Sequence, residues 1–264
     1  INTLRTLFVE AEINAGDKVA IYGRNSSNWG KIFLACMAHG AVPVPILPDF
    51  KPENVHHIVN HSESKVLFAA KSLFETLDPS QMTDILGVVS IETFEVLDCK
   101  NETLKAYCEE GKTLMHNTKI EKEAFKFSES ALEDVCIISY TSGTSGFTKG
   151  VMIPVRSIHS NVIFAREHMP LQSGDKIVSF LPMAHVYGLL FEFLFPVSVG
   201  CHVTFLNKMP SPQVLVKAFQ EIQPQLILSV PLVIEKIYKK RLLPTLQKPA
   251  MKVLLSIPGI NTIL

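Results

Sequence analysis

The sequence predicts an α/β fold: a three-layer arrangement of mostly parallel sheets flanked by helices. Three observations carry that expectation. Short apolar runs bounded by turn residues recur along the 264-residue chain, and stretches of helical character alternate with them. One run, "DVCIISY" (Asp134–Tyr140), is apolar almost without interruption, as a strand buried on both faces should be. The spacing of strand, helix and strand suits βαβ crossovers, which need a dozen or more residues each.

The elements follow in order. "INTLRTLFVEAEI" opens the chain with a helix-like pattern. "DKVAIYG" (Asp17–Gly23) reads as a strand, and "NWGKIFLACMAHG" (Asn28–Gly40) as a helix stopped by glycine. "AVPVPIL" (Ala41–Leu47) is extended, and "KPENVHHIVNHSES" (Lys51–Ser64) starts a helix near Pro52. "KVLFAA" (Lys65–Ala70) is again a strand. Residues 78–130 are more polar and less regular, and read as a surface excursion from a first lobe over 1–130. A second lobe, 131–264, begins with the apolar strand ending at Tyr140, taken as parallel. "VMIPV", a helix near 156–169, the strand "DKIVSFLP" and a helix near 185–195 come next. The strand "CHVTFL", the helix "SPQVLVKAFQEI", the strand "PQLILSV" and the helix "PLVIEKIYKKRLL" complete the series.

Composition narrows the function. Lys+Arg and Asp+Glu balance at 25 each, which argues against a global field for nucleic acid. Charged residues make up 19% and hydrophobic residues 47%, an apolar balance that a large buried sheet, an apolar ligand channel or a partner surface would each explain. Five scattered cysteines without a CxxC pair suit a reduced, cytoplasmic setting. The most apolar stretch, Val186 to Leu206, contains Glu192, Pro196, Gly200 and His202. It reads as a buried helix, a break and a strand rather than a membrane span. The chain opens on Ile1 and ends on an apolar "SIPGINTIL", so a piece of a longer protein is expected.

The chemistry concentrates in "YTSGTSGFTKGV" (Tyr140–Val151). Gly143 and Gly146 let backbone N–H groups approach an anion. Thr141, Ser142, Thr144 and Ser145 supply hydroxyls, and Lys149 supplies a mobile positive charge. This describes a polyphosphate clamp. It is not a Walker A loop, because Thr148 stands where GxxxxGK[ST] needs glycine before the lysine, and there is no GxGxxG.

The stretch resembles the phosphate-binding signature of the adenylate-forming enzymes, roughly YTSGTTGxPKGV. Ser145 stands for the usual second threonine, and Thr148 for the usual proline. "GDKVAIYGRNSSNW" resembles that family's amino-terminal strand and helix, and "LPMAHVYGL" (Leu181–Leu189) the segment lining its acyl pocket. "SVPLVIEKIYKKRLL" is closest to the long-chain fatty acid–CoA ligase branch.

The resemblance implies activation of a fatty acid by ATP to acyl-AMP and pyrophosphate, then thioester formation with CoA. Thr141, Ser142, Gly143, Thr144, Ser145, Gly146 and Lys149 would bind ATP. Thr144 and Lys149 would act on the transition state, and Thr141 would give a hydroxyl ligand to Mg²⁺. His185 would be a wall or gate between nucleotide and acid, with Tyr187 and Gly188 shaping the same pocket. His185 need not act as a base, since a carboxylic acid is already ionised at neutral pH. The apolar "LLFEFLF" after it reads first as core, with Glu192 as its oddity.

Other clusters read as surface. His56, His57 and His61 lack the HExxH pattern and suit a solvated helix face. Lys236, Lys239, Lys240 and Arg241 suit another, with an anionic membrane surface as the minor reading. The family's GYGxTE and TGD segments do not occur in these residues, so this stretch alone is not expected to adenylate. Two alternatives stand beside the fatty-acid reading: a ligase for aryl or amino acids, and a homologue that binds nucleotide or acyl groups without turnover.

Overall fold

The structure is a computed structural model describing residues 1–102, 104–106, 128–141, 148–207, 209–249 and 251. α1 (Asn2–Glu10) buries Leu4, Leu7 and Phe8. That i, i+3, i+4 spacing puts them on one face of a helix. β1 (Lys18–Tyr22) leads into α2 (Ser27–His39). The Ser26 hydroxyl accepts the Trp29 N–H at 3.1 Å, a standard N-cap. α2 ends at Gly40, whose φ of 85° an L side chain would resist. β2 (Val42–Ile46), α3 (Pro52–His61) and β3 (Ser64–Ala69) follow, with Pro52 in the first turn of α3.

A five-stranded sheet of order β2-β1-β3-β4-β5 carries the first part of the chain. β1, β2, β3 and β4 (Gly87–Ser90) run parallel, and β5 (Val96–Cys99) runs antiparallel to β4. β2 is an edge strand, and Pro43 and Pro45 suit it: at alternate positions their missing N–H groups fall on one side, away from β1. The surface excursion expected over 78–130 is corrected here. Gly87–Ser90 is buried and is a full member of the sheet. A four-residue strand is too short to show a period. Most of the rest of that region lies outside the described residues.

β6 (Val135–Thr141) pairs antiparallel with β7 (Lys149–Pro154). The parallel strand expected there is therefore a hairpin strand, because seven connecting residues cannot hold a crossover. After the helix Val155–His168, β8 (Lys176–Ser179) and β9 (His202–Phe205) pair parallel across an intervening helical stretch, 186–199. Its middle, Leu190–Leu194, is a π-helical turn. "PQLILSV" forms a single bridge, Leu226 to Ile177, rather than a strand. Ile227 and Val230 are exposed. Helices Pro212–Ile222 and Pro231–Ile237 follow.

One core cluster joins α1, α2 and the sheet to Ile137 of β6, Met183, Leu189 and Phe193. Trp29 stacks on Phe33 at 5.6 Å, Phe33 meets Phe193 edge-on at 6.4 Å, and Phe193 meets Phe205 at 6.0 Å. The "LLFEFLF" helix is core, as expected, for Leu189, Leu190, Phe193 and Phe195 are all buried. Among the described residues no helix is long and apolar enough to cross a membrane.

Candidate functional site

The hydroxyl-rich loop is the tip of the β6–β7 hairpin. Ile137 and Tyr140 bury the base of β6. Thr141 and Lys149 are direct partners across the ladder at its mouth, both exposed. Opposed residues of an antiparallel pair project from the same face. The register therefore sets a hydroxyl and an ammonium side by side where the loop begins and ends. Ser142, Gly143, Thr144, Ser145 and Gly146 lie outside the described residues. Thr148, in the place of proline, is buried, and its hydroxyl has no partner among the described residues.

The hairpin is braced one pair back from its mouth, where Tyr140 faces Gly150. The Tyr140 hydroxyl and His61 Nδ1 are hydrogen-bonded at 2.7 Å, and the two rings meet edge-on at 5.9 Å. Burial raises the Tyr140 phenol above its ordinary pKa, so it stays protonated. The ring lies over Gly150, where a Cβ would come within 3.0 Å of Tyr140 Cζ. The His56–His61 helix is therefore not a solvated face throughout. His56 is buried, and its Nε2 accepts the Asp78 N–H at 3.0 Å. α3 turns toward the sheet because Val55, Ile58 and Val59 set its buried side, and His56 falls beside them.

A second group of polar contacts holds the segment after β8. Asn25, buried just past β1, donates from Nδ2 to the Leu181 carbonyl at 2.7 Å and to Ser179 Oγ at 3.0 Å. Its Oδ1 accepts the Met183 N–H at 2.9 Å. Fully buried Glu192 accepts the Phe180 and Leu181 N–H groups on Oε2, each at 2.8 Å. The segment these contacts fix leads to His185, which is exposed and caps the next helix, its Nδ1 accepting the Tyr187 N–H at 3.3 Å. Tyr187 leans on Phe191 at 5.3 Å.

Gly188 is buried so closely on the segment that a Cβ would sit 2.5 Å from the Pro182 carbonyl oxygen. Gly188→Ala is therefore expected to cost about 1–3 kcal/mol, the usual range for overpacking, read as a lower midpoint in urea. An unchanged midpoint would show that the segment gives way freely.

The expected residues thus fall into two groups, Thr141 with Lys149 and His185 with Tyr187 and Gly188. No hydrogen bond joins the two groups among the described residues, although Ile137 and Met183 share one core cluster. Sequence reasoning missed Asn25, whose partners lie more than 150 positions away. Glu192 did have a signal, a lone charge in an apolar helix. An apolar groove of about 850 Å³ opens between helices Pro212–Ile222 and Pro231–Ile237, lined by Phe180, Phe219, Ile234 and Tyr238 among others.

Among the described residues no three His, Cys, Asp or Glu side chains gather to hold a metal. The donor at the hairpin mouth is the neutral Thr141 hydroxyl. That fits a Mg²⁺ ion held mainly by phosphate oxygens and water, with one protein ligand.

An α/β domain whose antiparallel hairpin is joined by a sequence of glycines, hydroxyls and a lysine has the chemistry an anionic phosphate would need. Comparison with known proteins makes the class specific. Residues 2–258 match the AMP-binding enzyme family, and the chain belongs to that family. Long chain acyl-CoA synthetase 4 of Arabidopsis thaliana is 30% identical over 255 residues, covering 90% of this chain and 36% of that protein. The chain thus spans about a third of the length of the curated relatives it matches. A long-chain-fatty-acid-CoA ligase of Archaeoglobus fulgidus shares the fold with a TM-score of 0.70 at 23% identity, over 90% of this chain and 44% of that one. The anthranilate CoA ligase AuaEII, in complex with anthranoyl-AMP, does so with a TM-score of 0.70 at 17% identity, over 84% and 40%.

Proposed function

We propose that the intact protein is a fatty acid–CoA ligase and that this chain supplies its phosphate clamp and part of its acid pocket. The carboxylate of the acid attacks the α-phosphorus of ATP, forming acyl-AMP and expelling pyrophosphate. The CoA thiol then takes the acyl group and releases AMP. The observation that carries the reading is the pairing of Thr141 with Lys149 at the mouth of a hydroxyl-rich hairpin. In that place the ammonium and hydroxyls meet the charge that builds on the departing pyrophosphate, which is electrostatic catalysis. Thr141 would be the protein ligand of Mg²⁺, which when bound neutralises phosphate charge. Thr144 and the loop N–H groups would complete the grip. His185, Tyr187 and Gly188 would wall the acid.

Two observations support a fatty acid over an aryl or amino acid: the named activity of the Arabidopsis relative, and the apolar groove lined in part by Phe180, next to the segment that leads to His185. An apolar channel suits an aliphatic chain. The test is thioester formation by the intact protein across palmitate, anthranilate, benzoate and amino acids. Palmitate is expected to give the highest kcat/KM. Preference for an aryl or amino acid would overturn the substrate class, and no acyl-AMP from any acid would favour a binding protein without turnover.

A further inference from the structure

Glu192 is the one buried carboxylate among the described residues. The π-helical turn Leu190–Leu194 centres on it, and such turns occur often at functional sites. Its Oε2 takes two consecutive backbone N–H groups, Phe180 and Leu181, from the end of β8. Its Oε1 is buried with no hydrogen-bond partner. A core carboxyl whose only task was to fill space would be better replaced by an apolar side chain. A carboxyl that holds two amides on one oxygen, while the other makes no hydrogen bond and has only the Ser179 hydroxyl near enough to weigh on its charge, can carry a proton there.

We propose that Glu192 is a positioning residue for the acid substrate: its oxygen grips the Phe180 and Leu181 amides, and loss or gain of its proton tightens or relaxes the segment that presents His185 and Tyr187. The proposal rests on the reading above that His185 and Tyr187 wall the acid. An ionised oxygen accepts hydrogen bonds more strongly than a neutral carboxyl, so the deprotonated state is the tight one.

The surroundings agree. Burial lifts the Glu192 carboxyl from an ordinary 4.5 to about 8, and the Leu181 and Phe180 N–H groups and the Ser179 hydroxyl hold it back from going further. The charged and titratable side chains of the packed elements are exposed: Arg156, His159, Arg166, Glu167 and His168 on the helix Val155–His168, Lys176 on β8, and Tyr187 on its own helix. None of these, nor exposed Lys31 of α2 and His202 of β9, whose elements pack on Phe193, pairs with the carboxyl, so its proton answers to burial and to the grip on the segment after β8. The sign for stability follows. With the folded value above the unfolded one, the native state binds the extra proton between about 4.5 and 8. The contribution of Glu192 to stability is full below that window and is lost as pH rises through it.

The test measures kcat and KM for palmitate and for ATP from about pH 6.5 to 9, in the intact protein and in its Glu192→Gln and Glu192→Leu variants. Gln keeps an acceptor oxygen and cannot ionise. The kcat/KM of the wild type for palmitate, divided by that of the Gln variant, is expected to rise about tenfold with pH, the order set by slight misplacement of a substrate-positioning group. Glu192→Leu should lose about tenfold or more in kcat/KM for palmitate with the KM for ATP unchanged. A flat ratio overturns the proposal, as does a Leu variant with wild-type kinetics or with equal losses for palmitate and ATP. Amide exchange at Phe180 and Leu181 decides independently of activity and of whether the Leu variant folds. Protection at these two amides, taken relative to other core amides of the same protein so that the global loss of stability cancels, that grows with pH in the wild type and not in the Gln variant upholds the latch, even if no acid is activated and only the substrate reading falls. Equal protection in both overturns the latch itself.

Discussion

Lys149→Ala in the intact protein is expected to slow acyl-AMP formation by about 10²- to 10³-fold, the cost of removing one preorganised group that meets developing charge. The measurement is pyrophosphate release, or its reverse exchange into ATP, at saturating acid. The fold should survive, because Lys149 is exposed at the first position of β7 and makes no described ion pair. The loss should fall on kcat as well as on the KM for ATP, since the charge on the leaving pyrophosphate grows toward the transition state. Lys149→Arg should recover part of the rate, keeping the charge but not its compact placement. A wild-type rate in the Ala variant would remove Lys149 from the clamp.

The second large effect is on stability. Asn25→Ala is expected to cost about 3 kcal/mol or more, because it strands the Met183 N–H and the Leu181 carbonyl in the core and takes one partner from Ser179 Oγ. A buried polar group left unpaired costs about 1–3 kcal/mol. The variant should unfold at a clearly lower urea midpoint and should also weaken acid binding, since the Asn25 contacts hold the segment that leads to His185. Asn25→Asp should not rescue it, because the Nδ2 donor is gone and a charge takes its place in a dry site. A midpoint within about 0.5 kcal/mol of wild type, the usual range for surface changes, would mean that water replaces the amide without strain.

Much of the fold was legible because periodicity and turn residues are local. "DKVAIYG" and "NWGKIFLACMAHG" became β1 and α2 within a residue or so at each end, since the Ser26 cap and Gly40 stop are written beside the helix they bound. The hydroxyl-rich stretch stood out as a candidate phosphate loop because its chemistry is contiguous. Four readings failed where the deciding contact was distant or short, one of them the solvated face expected for His56, which is buried beside Val55, Ile58 and Val59. Gly87–Ser90 is four residues that join the sheet only because β3 offers its free edge. "PQLILSV" has the apolar run of a strand but little to pair with. The sense of β6 depended on β7, not on its own residues.

By itself, then, the sequence determined the α/β class, most element boundaries and the Thr141–Lys149 stretch, all of which depend on neighbours within a few residues. Only the tertiary structure decided what steadies the site. Asn25 reaches the segment after β8 from across the fold and Glu192 reaches it from the helical stretch that follows, and His61 of α3 meets Tyr140 of β6. Such contacts are set by how strands and helices stack, and stacking brings together side chains whose separation along the chain carries no local signal.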